Sequence, residues 1–395
     1  MSIVKHKNNF KKIIGKLHLW LGLLSGIIVF IISLTGCIYV FSREFTYAFR
    51  KDILYVTPKE NTIPIDKLWE NTQKQLGENT ELSWVNIYNA PDRSWIFLAY
   101  KPNEDENAFT YFETLSYYKS VYVNPYTGDI LRIYDEKTDF FNIVKMIHWS
   151  LLLSNKYGQP VVGYATLIFV CMFITGLILW WPKNKAARKQ RFSFKWKKGM
   201  SWKRKNYDLH NILGFYIGSV AFVISVTGLV WAFSWMQSLV YIAGARSFTP
   251  PDLSLAKSVY TPSHTSALNQ AFATSKKLYP DADGFQLTPA TGDSTSVIQS
   301  YIQPKEGLYY INHNLQFDKY SGKLLKERKH QDKNFGEKLI TANYDIHVGA
   351  IVGIPGKIIA FTASLLCASL PVTGFMIWLG RKRKKKPSTR LYPAK

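Results

Sequence analysis

Cysteine is scarce in this 395-residue chain: Cys37, Cys171 and Cys367 are the only three, each inside an apolar stretch, so neither a disulfide framework nor a paired-cysteine metal site is suggested. Phosphate-cradling loops are missing as well. Neither Gly-x-Gly-x-x-Gly nor a Walker motif occurs, which leaves no built-in nicotinamide or nucleoside-triphosphate domain. Acidic residues are few, 27 against 50 basic ones, and none falls in the core of the four longest apolar stretches. Proton or sodium coupling in a carrier normally leaves such a carboxylate in a span.

Those four stretches are what the sequence has in abundance. Leu17 to Phe41, Val161 to Trp181, Ile212 to Trp235 and Ile358 to Leu379 each supply about 20 or more nearly uncharged residues, enough to cross ~30 Å of hydrocarbon as a helix. Only Lys357, at one margin, disturbs the pattern. Backbone amides in lipid must be satisfied within the segment, so the stretches read as spanning helices. The net charge of +23 sits in three short segments: five Lys in residues 1–16, eleven Lys or Arg in 182–208 and eight in 380–395, with Asp208 the one acid among them. Basic segments flanking spans mark the cytoplasmic face. Both termini are therefore expected inside, in the inner membrane of a bacterium, with two large loops outside. Nucleic acid is not an expected partner, because these runs lack a folded domain to orient them.

The expected organisation is an N-terminal segment 1–16, spans at 17–41, 161–181, 209–235 and 358–379, outer regions 42–160 and 236–357, a basic loop 182–208 and a basic tail 380–395. Leu34-Thr35-Gly36-Cys37 resembles a lipoprotein cleavage box. The apolar run continues through Phe41, however, and Ser225-Val226-Thr227-Gly228 repeats the motif where no Cys follows, so the box reads as coincidence.

An internal duplication covers the whole chain. His18-Leu-Trp-Leu-Gly22 and Thr35-Gly36 match His210-Asn-Ile-Leu-Gly214 and Thr227-Gly228 at a constant offset of 192. His148, Gly158-Gln159-Pro160 and Thr175-Gly176 parallel His347, Gly353-Ile354-Pro355 and Thr373-Gly374 at offsets of 195 to 199. In the outer loops, Val123 to Leu131 aligns with Phe317 to Leu325. Each copy has two spans, so both enter the membrane in the same direction, related by a pseudo-twofold axis along the membrane normal. Each outer loop reads as a small α+β domain: a helix (Ile65 to Gln75; Ser266 to Leu278), then alternating strands such as Trp84 to Tyr88 and Trp95 to Tyr100, then a hairpin at Asn124 to Asp129 whose Pro and Gly suit a tight turn.

The duplication puts histidines in pairs. His18 and His210 begin spans at the inner face, and His148 and His347 precede spans at the outer face. Ionisable residues at membrane depth are costly and usually functional, and paired imidazoles on facing helices are how a bundle holds haem iron. No Cys-x-x-Cys-His occurs, which excludes covalent c-type attachment by that motif. At ~100° per residue, Gly22, Ser25, Val29 and Gly36 lie on the side of His18, and Gly214, Ile217, Ala221 and Gly228 repeat that stripe below His210. Such a stripe either leaves room for a flat macrocycle or lets helices pack closely. Spans one and three carry His at the inner end and Thr-Gly at the outer end, and spans two and four, with Gly176 and Gly374, reverse the order. One haem per level is the expectation, ligated by His18 with His210 inside and by His148 with His347 outside. His148 to Gly176 would cover ~42 Å as one straight helix, so a break is expected between Ser154 and Pro160. His6, His264, His313 and His330 have no matched copy and are expected to be solvated.

Taken in order, Leu17-His-Leu-Trp-Leu-Gly22, Asn124-Pro-Tyr-Thr-Gly128 and Thr175-Gly-Leu-Ile-Leu-Trp-Trp-Pro182 resemble the PepSY-associated transmembrane family, the iron-regulated membrane proteins that include bacterial siderophore reductases. The second copy departs from the pattern, with Asp318-Lys319-Tyr320 in its turn and no Trp-Trp-Pro. The resemblance implies an all-α membrane four-helix bundle with two periplasmic PepSY-like α+β insertions, two b-type haems on the histidines, and reduction of a ferric siderophore or other ferric chelate.

The function expected is a di-haem conduit fed by a separate cytoplasmic reductase or a membrane quinol. Hard oxygen donors suit ferric iron better than ferrous, so one-electron reduction loosens the chelate. Two other classes fit parts of the pattern. A transporter fits the parallel repeats but lacks coupling carboxylates. A non-enzymatic anchor presenting two PepSY-like protein-binding modules needs no cofactor at all.

Overall fold

The computed structural model describes residues 2–182 and 184–382, so most of the basic tail 380–395 lies outside the described residues. The first copy runs α1 (Ser2–Tyr39), α2 (Ser42–Phe49), α3 (Lys51–Leu54), α4 (Ile65–Leu76), β1 (Trp84–Tyr88), β2 (Trp95–Pro102), β3 (Leu115–Val123), β4 (Ile130–Asp135), α5 (Phe140–Ser150) and α6 (Asn155–Trp180). After a short α7 (Lys185–Arg191), the second copy runs α8 (Trp202–Ala232), α9 (Ser234–Ala245), α10 (Ala267–Leu278), β5 (Gly284–Thr288), β6 (Val297–Gln303), β7 (His313–Asp318), β8 (Leu324–Arg328), α11 (Phe335–His347) and α12 (Ile354–Lys382).

Four helices are long and apolar enough to cross a membrane: Asn9–Tyr39, Asn155–Trp180, Trp202–Ala232 and Ile354–Arg381. All four begin before the stretches read from hydropathy, because a helix need not stop where lipid stops, while three end short of them, at Tyr39, Trp180 and Ala232 rather than Phe41, Trp181 and Trp235. In α8 the polar turn from Trp202 to Asp208 continues the helix beyond the apolar run. Each of α1 and α8 packs against both α6 and α12, so α1 and α8 stand on one diagonal of the bundle. Cys37 is buried within α1, and the helix continues past it to Tyr39. Lys357, the charge that disturbed the fourth stretch, places Nζ 2.6 Å from Glu44 of α2.

The break expected between Ser154 and Pro160 falls earlier. α5 ends at Ser150, Leu151 and Leu152 take left-handed backbone (φ 57° and 61°), and α6 restarts at Asn155 with Pro160 inside it. Two leucines in that region cost roughly 1 kcal/mol or more each. The second copy makes the same corner with Gly349 and Gly353, at φ 77° and 71°. The corner also corrects the alignment of the copies. Gly158 lies against the Ser150 carbonyl as Gly356 lies against that of Gly349, so Gly158 corresponds to Gly356 rather than to Gly353.

The two outer loops share one antiparallel sheet of eight strands, ordered β4-β3-β2-β1-β5-β6-β7-β8. β1 and β5 join the copies, Val85 opposite Leu287 and Tyr88 opposite Gly284. The reading of each loop as its own small domain is thus replaced by a merged one. Val85, Ile87, Phe285 and Leu287 are buried in a single core with residues of α4 and α10, which pack on each other across one face of the sheet. Neither four-stranded half could close such a core alone, and an unpaired β1 would be an open edge. Under the other face, α2 and α3 cover Ile96, Leu98 and Tyr122 with Ile53 and Leu54.

An ionic cluster joins the copies below the sheet. Arg93 of the first copy donates to both carboxylate oxygens of Glu306 of the second, at 3.1 and 3.2 Å, and Tyr47 donates to the same carboxylate. Burial pushes the Glu306 pKa up, but Tyr47, Arg93 and Arg43 outweigh it and hold the carboxyl below the usual carboxylate range. A depressed native value stabilises the fold above the unfolded pKa of about 4.3, and the contribution is lost as pH falls through the native value. Glu306→Gln, which leaves Arg93 buried without its counter-charge, is expected to cost about 3 kcal/mol at pH 7. As pH falls from about 4.3 through the lower native value of Glu306, the variant's thermal unfolding should converge on that of the wild type. Parallel pH–stability curves for the two proteins in detergent would show that the cluster does not join the copies energetically.

Candidate functional site

All four paired histidines dock the same way, and the sequence of the opposing helix explains how. In α6, the Thr175 hydroxyl donates to the carbonyls of Cys171 and Met172 one turn back, at 3.1 and 3.0 Å. This leaves its lone pairs outward. His18 Nδ1 lies 3.0 Å from that oxygen, so the ring donates through Nδ1–H. Thr373 of α12 receives His210 at 2.9 Å, and Thr227 of α8 receives His347 at 2.9 Å, each hydroxyl again spent on its own helix. His148 Nδ1 donates directly to the Ile32 carbonyl of α1 at 2.8 Å, with the Thr35 hydroxyl 3.5 Å away. A carbonyl can only accept. That fixes His148 as the tautomer whose Nε2 carries a free lone pair, and the spent threonine protons favour the same form at His18, His210 and His347.

The glycine after each threonine admits the ring. A Cβ on Gly36 would come 2.9 Å from His148 Cε1, one on Gly374 3.2 Å from His210 Cε1, one on Gly176 3.4 Å from His18 Cε1, and one on Gly228 3.5 Å from His347 Cε1. The space these four glycines leave on the helix surface is taken by the imidazole edge. Gly22 faces the flexible end of Met172, and Gly214 that of Leu370, at 2.9 and 3.6 Å. Of the stripe read from the sequence, Ser25, Val29, Ile217 and Ala221 are buried, and Ser25 lies 3.7 Å from Met172 Sδ.

Docked in this way, the rings meet in pairs between the copies. The centroids of His18 and His210 are 6.4 Å apart, and those of His148 and His347 6.0 Å, with interplanar angles of 83° and 68°. Two imidazoles on opposite sides of one metal ion, with metal–nitrogen bonds of about 2.0 Å, would have centroids about 6.3 Å apart. The pairs thus have the separation of trans-axial ligands. Along α1 the two levels, His18 and Gly36, are about 27 Å apart at 1.5 Å per residue. Among the described residues no group of three or more His, Cys, Asp or Glu is placed to hold a metal ion by itself.

Second contacts fix the outer helices that carry His148 and His347. Asp139 caps α5, accepting from Phe141 N at 3.0 Å, and Arg50 holds the same carboxylate at 2.6 Å while also reaching Glu136 and Tyr122. Asn334 and Glu337 form a reciprocal capping box on α11, and Arg328 pairs with Glu337. In the second copy only, Asn206 and Asn343, each four residues before its histidine, donate to the carbonyls of Thr373 and Thr227, both at 3.0 Å. Sequence reasoning had noted the Thr-Gly pairs without seeing that threonine orients the ring. Their reversed placement on alternate spans was the available signal. The asparagines left no such trace, because the first copy has Ile14 and Val144 at those positions.

Two of the histidines expected to be solvated are not. His313 is buried in β7, stacked on Tyr279 at 4.4 Å, and its Nδ1 accepts from the His330 amide, while His330 Nδ1 is itself buried. Strand alternation at β7 turns His313 inward, which a count of polar neighbours does not reveal. His264 is exposed, and the side chain of His6 lies outside the described residues.

Four helices long and apolar enough to cross a membrane, together with an antiparallel sheet domain, define a membrane protein with a sheet-containing insertion. The chain belongs to the family of the PepSY-associated TM region, whose profile matches residues 16–381. No curated protein matches it.

Helix α5 owes its position to the close approach of Gly158 to the Ser150 carbonyl. Gly158→Ala is expected to push α5 off α6 and lower stability by about 1–3 kcal/mol in thermal unfolding. Gly26→Ala, whose methyl would meet Pro371 at 3.5 Å, serves as the tolerated control. Equal melting of the two variants would mean that the α5–α6 corner yields without cost.

Proposed function

We propose that the protein is a di-haem electron carrier of the bacterial inner membrane that reduces a ferric siderophore or another ferric chelate in the periplasm. The observation that carries this reading is the separation of the two imidazole pairs, 6.4 and 6.0 Å between centroids, with every Nδ1 engaged so that Nε2 is left for a metal. His18 with His210, and His148 with His347, would each hold one b-type haem. Haem supplies the one-electron chemistry; the chain supplies axial geometry, a dry surrounding and the distance between levels. The threonine hydroxyls act as the outer partners that set ring orientation and ligand basicity.

The basic segments at 1–16 and 182–208 support a cytoplasmic location for the His18–His210 level, and the sheet domain then faces the periplasm. Electrons enter at the inner level from a cytoplasmic reductase or a membrane quinol, since the chain has no nucleotide-binding motif of its own. They leave at the outer level, beneath the sheet. Lipids apart, the partners are this donor and the ferric chelate, and the enzyme class is a ferric-chelate reductase.

Purified after haem-replete expression, the protein should show a Soret band and a reducible α band equivalent to two haems per chain. A colourless, folded sample overturns the reading. His18→Ala and His347→Ala should each remove one haem and abolish chelate reduction while leaving the other haem spectrally intact. Thr227→Val, which deletes the oxygen that orients His347, is expected to weaken haem retention at the outer level by about 10–100-fold. Haem titration checks it, and an unchanged affinity would deny the hydroxyl that role.

A further inference from the structure

A cavity of about 310 Å³ lies between the sheet and the sheet-side ends of the helices. Its ceiling is the seam between the copies. Because Ile87, Phe285 and Ile302 point into the core above, alternation turns Asn86, Tyr88, Gly284, Gln286 and Tyr301 down towards the cavity they line. The floor comes from both copies as well, with Tyr39 and Arg43 from the end of α1 and the start of α2, and Tyr344, Val348 and Lys357 from α11 and α12.

This floor adjoins the outer histidine pair. Tyr39 and Val40 follow Gly36, the docking point of His148, by one turn, and Tyr344 and Val348 flank His347 on its own helix. One turn of helix is about 5.4 Å. Trp231 packs on His347, with centroids 5.2 Å apart, and on Tyr344 at 6.4 Å; Tyr344 in turn meets Tyr309 of the cavity wall at 5.2 Å.

The lining chemistry is specific. The lining cations are paired, Arg43 with Glu306 and Lys357 with Glu44, and beside them the amides of Asn86 and Gln286 and the tyrosine phenols offer donors to ligand oxygen. The acid in the lining, Glu306, is already held by Arg93, Arg43 and Tyr47. The volume is at the lower end of the range of small-molecule sites, about 300–1,000 Å³.

From this geometry we infer that the cavity is the acceptor site, and that it takes a compact, oxygen-ligated ferric chelate of the hydroxycarboxylate class whole, and a large hexadentate chelate only in part. The inference rests on the electron-carrier reading and adds the place and size of its substrate. The redox step would be a single electron: the chelate's Fe(III) would become Fe(II), with the haem iron that His148 and His347 would hold as the one-electron reductant. No bond in the chain forms or breaks.

Binding can be measured apart from reduction with gallium(III) citrate, which carries the same charge and oxygen shell as a ferric chelate and accepts no electron under these conditions. Equilibrium dialysis of the oxidised full-length protein should give saturable binding of one chelate per chain, tighter than that of gallium(III) desferrioxamine. Gly284→Leu, which fills the ceiling, and Gln286→Glu, which adds a like charge at nearly constant shape, should each weaken binding at least tenfold. Gly284→Ala should bind as the wild type does, since its methyl meets nothing nearer than the Ile87 carbonyl at 3.5 Å. Haem content and melting temperature identify a variant that has not folded, and the other variant then decides. Absence of saturable binding to the wild type, or equal affinity in the folded variants, overturns the cavity assignment. Loss of the electron-carrier reading has a separate signature: it is the absence of haem, whatever the dialysis gives.

Discussion

A neutral imidazole donating through Nδ1 to a helix that has already satisfied its own threonine is the interaction on which the architecture turns. Burying a polar ring costs several kcal/mol unless its donor is met. Thr175, Thr373 and Thr227 meet it with an oxygen whose proton is spent one turn back, and Ile32 meets it with a carbonyl. Each contact ties one element of a copy to the other span of that copy: α1 to α6, α8 to α12, α5 to α1 and α11 to α8. The four contacts therefore lock the pairs of spans together as they aim the rings, and removing one would disturb packing and ligand geometry together.

Much of this was legible in the sequence because membranes simplify the code. Long apolar runs gave the spans, the duplication gave the equivalence of His18 with His210 and of His148 with His347, and the reversed Thr-Gly pairs marked the two levels. The ends of the helices were harder to read. Lipid thickness limits where apolar residues must lie, while helix geometry continues through polar turns such as Asn155 to Gln159. The corner at Leu151 and Leu152 was hidden for a different reason. Nothing in two leucines announces left-handed backbone, whereas the glycines of the second copy do.

The sheet shows what local pattern cannot supply. Helix and strand content in each outer loop follow from alternation and turn chemistry, and the hairpin at Asn124 to Asp129 forms with Gly128 at φ 78°, as its residues predict. That β1 should pair with β5 is a long-range choice between edges, and β1 read alone is only a short strand with one buried face. The merged core decides it, since Phe285 and Leu287 fill the space beside Val85 and Ile87. Burial of His313 follows from the same packing. A residue's polarity says little about which way a strand will turn it.

The seam has a further meaning for the mechanics of the molecule. The offset of 200 that relates Trp84 to Gly284, the first residues of β1 and β5, also relates Asn86 to the Gln286 opposite it, so the pseudo-twofold passes through that residue pair. A strand that pairs antiparallel with its own counterpart is self-complementary, the hallmark of an isologous dimer. Here both partners of that pairing lie in one chain, and the tether between them keeps β5 at high effective concentration beside β1. Within one chain, the halves need not serve both sides of the axis with one set of residues. Arg93 can meet Glu306 without a reciprocal pair, and asparagines can brace two of the four rings while leaving the other two unbraced.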